Sequence, residues 1–274
     1  MKKAALVMLG LFVGAAMLNA HDMFLKLTSF YLAPNKKATV ALYNGTFDKS
    51  ENVITRDRML DVSVVGPGSE RAKQDTSQWR DFGTTTLLDI QTGDPGTYVV
   101  GVSTKAKIIE LDAKAFNDYL VHDGVLDMLE MRKKKGVSDQ DAVELYSKHV
   151  KAVVQVGDVR SDSYKEILGY PIEIIPQQNP YSLKKDDVLE VRVLFKGKPV
   201  ANEIVYSSYA GFHGHNDKGE HVNAVQTRTD ANGVAKIKLE KVGQWYVRLI
   251  HMEEITGKDH NYESNWATLT FEIK

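Results

Sequence analysis

The sequence predicts a mainly β protein, built from two immunoglobulin-like or prealbumin-like β-sandwich domains that a short helical segment joins. Three observations support this fold class: short apolar runs separated by turn residues, a change to helical spacing near residue 109, and renewed strand patterns after residue 169. We therefore predict an N-terminal sandwich over residues 21–108, a helical connector over residues 109–168 and a C-terminal sandwich over residues 169–274.

Residues 1–20 have the features of a secretory signal peptide. Two lysines precede an apolar run, Ala4–Leu18, which is shorter than the ~20 residues of a membrane-spanning helix. Cleavage after Ala20 would make His21 the new N-terminus, whereas cleavage after Ala16 fits the preference for small residues better. We expect an exported protein, periplasmic in a Gram-negative host.

The elements of the chain follow from local periodicity and from turn residues. Apolar and β-branched runs predict the N-terminal strands Ala38–Tyr43, Leu60–Val65, Thr84–Ile90 and Thr97–Ser103. Helical spacing predicts the helices Leu111–Tyr119 and Val125–Arg132. A capping box at Ser138 and Asp141 predicts a third helix, Gln140–Val153. Strand patterns return at Leu189–Phe195, Val200–Ser207, Val234–Leu239, Trp245–Ile250 and Ala267–Ile273.

A weak internal repeat supports the division into two sandwiches. Gly96-Thr97-Tyr98 and Gly243-Gln244-Trp245 each begin a late strand with a glycine and an aromatic residue. Such strand starts are common in immunoglobulin-like and prealbumin-like modules, so the repeat indicates a fold class and no particular function.

The composition excludes several classes of function. The chain has 35 Lys and Arg against 36 Asp and Glu, which gives no global field for binding nucleic acid. The absence of Cys excludes thiol catalysis, disulfides and iron–sulfur clusters. No zincin, nucleophile-elbow or P-loop spacing occurs, so we predict that the protein is not an enzyme. The eight histidines remain as the candidate groups for metal chemistry.

Five of the histidines are candidate metal ligands. As an N-terminal residue, His21 would chelate an ion with its ring and its α-amine, a donor set that suits Cu(II) and Ni(II). His213, His215 and His221 lie within nine residues, and alternate residues of an extended chain face the same way. A solvated polar loop is the alternative for that cluster. His251 faces inward by strand parity, so a buried core histidine is favoured there and a ligand is the alternative.

Several segments together resemble the DUF4198 family of exported proteins, which is linked with nickel and cobalt uptake systems. The matching segments are His21–Leu25, Tyr43–Phe47, Gly169–Pro176, Asn179–Tyr181, Leu194–Pro199, Thr229–Gly233 and Gly243–Trp245. The resemblance implies an exported β-sandwich protein that serves a membrane transporter as a metal-binding component. It also favours cleavage before His21, because the His-Asp start resembles the family's mature N-terminus.

We therefore expect a periplasmic protein that binds a divalent transition metal through His21, His213, His215, His221 and His251. Nickel and cobalt are favoured by the resemblance, while copper and zinc remain alternatives. Two other functions stay open: a copper enzyme with an N-terminal histidine brace, and a metal-free adhesion or carbohydrate-binding sandwich. The sequence leaves undecided whether the His213 loop and His251 share one site.

Overall fold

The computed structural model describes residues 21–68, 70–212, 214–215, 221–222 and 224–274. The predicted signal peptide, and His213 among the candidate ligands, lie outside the described residues. For residues 214–215 and 221–222, only the backbone is described.

The described residues form strands before, between and after two α-helices. The strands that precede the helices are β1 (Asp22–Lys26), β2 (Tyr31–Leu32), β3 (Lys37–Gly45), β4 (Met59–Val65), β5 (Ala72–Lys73), β6 (Trp79–Phe82), β7 (Thr85–Gln91), β8 (Gly96–Thr104) and β9 (Lys107–Leu111). The helices are α1 (Ala113–His122) and α2 (Leu126–Lys135). The strands that follow are β10 (Ala142–Val156), β11 (Ile172–Pro176), β12 (Val188–Phe195), β13 (Lys198–Pro199), β14 (Ile204–Tyr209), β15 (Gly214–His215), β16 (His221–Val222), β17 (Val225–Arg228), β18 (Val234–Lys238), β19 (Gly243–Glu254) and β20 (Tyr262–Ile273). Short 3₁₀ turns occur at Arg56–Arg58, Thr76–Gln78, Asp162–Lys165 and Pro180–Ser182.

A ten-stranded sheet holds the described structure together. Its main path runs β17-β14-β19-β20-β10-β8-β4-β5, with β2 and β9 also paired to β10. Two four-stranded sheets accompany it: one has the order β1-β3-β7-β6, and the other joins β11, β12, β13 and β18. A two-stranded ribbon of β15 and β16 stands apart from these sheets.

The large sheets share one apolar core, as in a β-sandwich. Fully buried residues of this core come from both four-stranded sheets and from the ten-stranded sheet, and include Leu42, Val100, Val154, Val191 and Phe271. The alternation of apolar and polar residues along the strands produces these buried faces. The mainly β fold class predicted from the sequence is therefore confirmed.

The two helices form a smaller cluster against one end of the ten-stranded sheet. Phe116 and Leu120 of α1 are fully buried there, together with Tyr262 and Trp266 of β20. The Asp112 side chain accepts a hydrogen bond from the Ala115 amide at 2.7 Å and so caps the start of α1. The structure confirms the first two predicted helices within a few residues at each end.

The third predicted helix, Gln140–Val153, is wrong, because this segment forms the long strand β10. Its apolar residues Ala142, Leu145, Val150 and Val153 lie along one side of a helix but on both faces of a strand, so local spacing favours a helix. The strands that pair with this segment hold it in an extended conformation. Antiparallel β9 and β8 pair along β10 in succession, and parallel β20 pairs with residues 144–152.

Strand β10 also bears on the predicted domain boundaries. It links β8, from the predicted N-terminal sandwich, to β20, from the predicted C-terminal one, within a single sheet. The boundary predicted at residue 108 falls inside β9. The segment predicted as a helical connector therefore supplies a central strand, and the division into two sandwich domains is not confirmed.

Candidate functional site

The histidine-rich loop folds back on itself as a short ribbon. His215 of β15 and His221 of β16 are directly paired residues of this antiparallel ladder, and Gly214 pairs with Val222. The ribbon therefore brings together two candidate ligands that are six positions apart in the sequence. We call the pair His215 and His221 the histidine ribbon.

His251 lies on β19, and its imidazole ring is already in contact with other side chains. Its Nδ1 is 2.6 Å from Glu203 Oε2, and its ring lies 4.3 Å from the ring of Phe195, centroid to centroid. The remaining nitrogen, Nε2, is buried and has no hydrogen-bond partner among the described residues. The ring is thus held by a carboxylate and an aromatic side chain, in keeping with the interpretation of a largely buried structural histidine.

The strand register separates His251 from the point where the histidine loop leaves the sheet. Tyr209, the last residue of β14, pairs with Trp245 near the start of β19. His251 is six residues further along β19, which corresponds to about 20 Å at ~3.3 Å per residue. The end of β14 that leads into the histidine ribbon is therefore remote from His251.

His21 immediately precedes β1 and borders a cavity. Its Nε2 lies 3.1 Å from Glu51 Oε2, and its main-chain carbonyl accepts a hydrogen bond from the Lys148 ammonium. Among the side chains that the structure describes, no three His, Asp or Glu residues converge into a metal site. His21 and His251 thus lie in separate places, each with one ring nitrogen close to a glutamate carboxylate.

The cavity beside His21 has a volume of about 530 Å³. Its floor is one face of β10, because Glu144, Tyr146 and Lys148 alternate along the strand and so share a side. Trp266, the register partner of Lys148 in β20, also lines the cavity. The helical assignment of residues 140–153 concealed this face, since only a period of two places these three residues together.

Two buried groups of opposite charge lie at the floor. Burial raises the pKa of Glu144 to about 7, although hydrogen bonds from Tyr119 and Ser264 to its Oε1 act in the other direction. Burial lowers the pKa of Lys148 to about 8, while the nearby carboxylates of Asp22 and Asp123 oppose this shift. Near neutral pH, the floor therefore holds an ammonium beside a carboxyl that is partly protonated.

An arginine completes the polar lining at the outer part of the cavity. Arg58 is the last residue of the 3₁₀ turn Arg56–Arg58, and its guanidinium lies 5.3 Å from the centre of the Tyr146 ring. Its Nε is buried and has no hydrogen-bond partner in the described structure. Apart from His21, the polar groups of the cavity had no signature in the sequence, because they come from segments that only the sheet brings together.

A family model described as a domain of unknown function, DUF4198, matches residues 18–253. The chain therefore belongs to the DUF4198 family, as the sequence motifs indicated. Among curated proteins, no match to the chain was found.

Solved structures give only distant likenesses. The D0-D1 domain of intimin is 15% identical over 92% of this chain and 97% of its own, with a TM-score of 0.21. The Yersinia pseudotuberculosis adhesin InvE is 13% identical over 90% of this chain and 58% of its own, with a TM-score of 0.21. Dimeric latent PorU from Porphyromonas gingivalis is 10% identical over 97% of this chain and 21% of its own, with a TM-score of 0.24. Scores this low support no inference about function.

No helix in the described part of the chain is long and apolar enough to cross a membrane.

Proposed function

We propose that this protein is exported to the periplasm, binds a divalent transition metal there and supports uptake of the ion by a membrane transporter. Nickel and cobalt are the favoured ions, in line with the resemblance of the sequence to proteins linked with their uptake. The observation that carries the proposal is the direct pairing of His215 with His221 across the histidine ribbon.

Cross-strand pairing is a favourable starting geometry for chelation. Directly opposed residues of an antiparallel pair have Cβ atoms about 4.5–5.5 Å apart on the same face. Neutral imidazole is a good ligand for nickel, cobalt, copper and zinc. His213 precedes His215 by two positions, so an extended chain would add a third imidazole on that face. An ion bound at such a loop could exchange readily, as delivery to a transporter requires.

The other two candidate ligands rank behind the ribbon. At His21, the ammonium of Lys148 donates to the main-chain carbonyl, and its positive charge opposes a metal cation bound by the ring and the α-amine. At His251, Glu203 already occupies one ring nitrogen, and the other is buried. We keep His21 as a supplementary ligand in a chain cleaved after Ala20, and we assign His251 a structural role.

The proposal is tested by titrating purified, metal-free protein with Ni, Co, Cu and Zn in a calorimeter. His215→Ala and His221→Ala should each weaken binding of the preferred ion by at least about tenfold, because each removes a ligand. The matched control is His122→Ala, which removes an exposed histidine on α1 and should leave affinity unchanged. Equal affinity in all four proteins, or no saturable binding of any ion at micromolar concentrations, would refute metal binding by the ribbon.

Export and transport need separate measurements. N-terminal sequencing of protein from the periplasm of the host should begin at His21 or at the residue after Ala16. Cells that lack the protein should accumulate less radioactive nickel or cobalt than cells that produce it. If wild-type protein restores ion accumulation in these cells and the His215→Ala variant does not, the histidine ribbon is required for uptake. If both restore accumulation fully, the ribbon is not required.

A further inference from the structure

We propose that the cavity over Glu144, Tyr146 and Lys148 binds a small organic carboxylate with an apolar body. This ligand site is distinct from the histidine ribbon and does not depend on metal binding. It is a binding site for an anion of low molecular weight, built on the central strand of the ten-stranded sheet.

The size and the walls of the cavity fit a small organic molecule. Its volume of about 530 Å³ lies within the range of ~300–1,000 Å³ that is typical of ligand pockets. Ile54, Ile109 and Leu111 contribute apolar wall, and the buried Trp266 contributes an aromatic surface. An inorganic ion would leave most of this volume to solvent, whereas an apolar body would fill it and displace that solvent.

Two cations with spare hydrogen-bonding capacity supply the recognition of an anion. Lys148 Nζ has three N–H donors, and its acceptors among the described residues are the His21 carbonyl and, at 3.4 Å, Asn44 Oδ1. At least one donor is therefore left over. The buried Nε of Arg58 has no acceptor in the described part of the chain, which is costly unless a ligand or a water supplies one.

The two cations line the same cavity and lie near the same aromatic ring. The centre of the Tyr146 ring lies 5.3 Å from the guanidinium carbon of Arg58 and 5.9 Å from Lys148 Nζ. One aromatic ring thus separates a cation of the outer wall from a cation of the floor. A carboxylate accepts charge-assisted hydrogen bonds at its two oxygens, so either cation can anchor it in the cavity.

The acidic groups that line the cavity do not cancel this preference. Asp57 is exposed to solvent, where its charge is screened. The Glu144 carboxyl is 2% exposed, and burial raises its pKa to about 7, so a protonated form is available near neutral pH. In that form it can donate a hydrogen bond to a bound carboxylate. Glu51 does not line the cavity, and its carboxylate lies 3.1 Å from the His21 ring nitrogen Nε2.

The acidic groups behind the floor are also compensated. Asp22 Oδ2 lies 3.2 Å from Arg248 Nε. Burial raises the pKa of Asp123 to about 8, which favours its neutral form at pH 7. Asp22 is thus paired with Arg248, and Asp123 adds little negative charge behind the floor at pH 7.

The test compares three ligands that share one apolar body: 4-phenylbutyrate, 4-phenylbutylamine and 4-phenylbutanol. Each is titrated into full-length mature protein at pH 7 in the presence of EDTA, so that metal binding does not contribute. We expect one saturable site for the acid, with the amine and the alcohol at least about tenfold weaker. Tighter binding of the amine, or no saturable binding of the acid in the millimolar range, would overturn the proposal.

Two variants place the ligand in the cavity. Arg58→Gln and Lys148→Met should each weaken binding of 4-phenylbutyrate by at least about tenfold, as expected for loss of a hydrogen bond to a charged group. Arg80→Gln and Lys165→Met change exposed residues outside the cavity and serve as matched controls. Because Lys148 is buried, its variant could fail to fold, and Arg58→Gln then decides the question alone.

Unchanged affinity in Arg58→Gln would place the acid elsewhere and overturn the assignment of the cavity. The protein with His215→Ala should bind 4-phenylbutyrate as tightly as wild type. Failure of the metal titration would therefore leave the carboxylate site standing, and failure of the carboxylate titration would leave the histidine ribbon standing.

Discussion

The buried carboxyl of Glu144 should make the stability of the protein depend on pH in a way that one substitution can isolate. Glu144 accepts hydrogen bonds from Tyr119 at 3.1 Å and from Ser264, and both reach the same oxygen, Oε1. In Glu144→Gln, the amide oxygen can accept the same two bonds. The substitution therefore removes the titration of this group and keeps its local contacts.

The size and sign of the effect follow from the pKa of Glu144 in the two states. Burial raises it from 4.5 to about 7 in the folded protein. Between these values the folded state holds a proton that the unfolded state has released, so the free energy of unfolding falls as pH rises. The gap of about 2.5 pH units, at ~1.36 kcal/mol per unit, corresponds to about 3 kcal/mol. Glu144→Gln does not titrate at this position. Between pH 4.5 and 7.5, its free energy of unfolding should therefore rise relative to that of wild type by about 3 kcal/mol.

Urea unfolding of both proteins at pH 4.5, 6 and 7.5 measures the difference. Other titrating groups occur in both proteins, so they largely cancel when the two unfolding free energies are subtracted. Glu110→Gln, which changes an exposed carboxyl on β9, is the control and should stay within about 0.5 kcal/mol of wild type. A difference between Glu144→Gln and wild type that is the same at all three pH values would refute the argument that burial keeps this carboxyl protonated.

Two further substitutions test the core. Lys151→Met should destabilise the protein by about 3–5 kcal/mol in urea unfolding, because it leaves the buried Glu173 carboxylate without the ammonium that lies 2.9 Å away. A loss below about 1 kcal/mol would contradict this, and the double variant with Glu173→Gln should recover part of the stability. Gly101→Ala should cost about 1–3 kcal/mol, because its Cβ would overlap Leu168 Cδ1 and lie 2.6 Å from Tyr170 Oη. An unchanged melting temperature would show that these side chains move aside freely.

Local sequence patterns predicted most strands because each strand has its own apolar face and its own turn residues. Ala38–Tyr43 and Leu60–Val65, for example, correspond closely to β3 and β4. Alternation did not predict a strand where both of its faces are covered by other parts of the protein. In β10, polar residues such as Lys148 and Lys151 are buried along with the apolar ones, so no simple alternation marks the strand.

Of the two candidate sites, one was indicated by the sequence pattern and the other was not. The spacing of His215 and His221 indicated a cluster from the sequence alone, since both residues lie in one short loop. The carboxylate cavity could not be predicted in this way. Tyr146 and Lys148 share one face only because β10 pairs as a strand with β9 and β20, while Arg58 precedes β4, which joins the same sheet through β8; no local motif encodes these pairings.

The sequence by itself determined the β class of the fold, the family and the histidines that deserve testing, because residue type and short-range spacing carry these properties. Only the tertiary structure decided that one sheet runs through the predicted domains, that the ring of His251 is hydrogen-bonded to Glu203, and that Glu144 and Lys148 share a buried floor. Strand pairing joins residues that are distant in the chain, and burial then sets their charges. Both depend on neighbours that local periodicity does not identify.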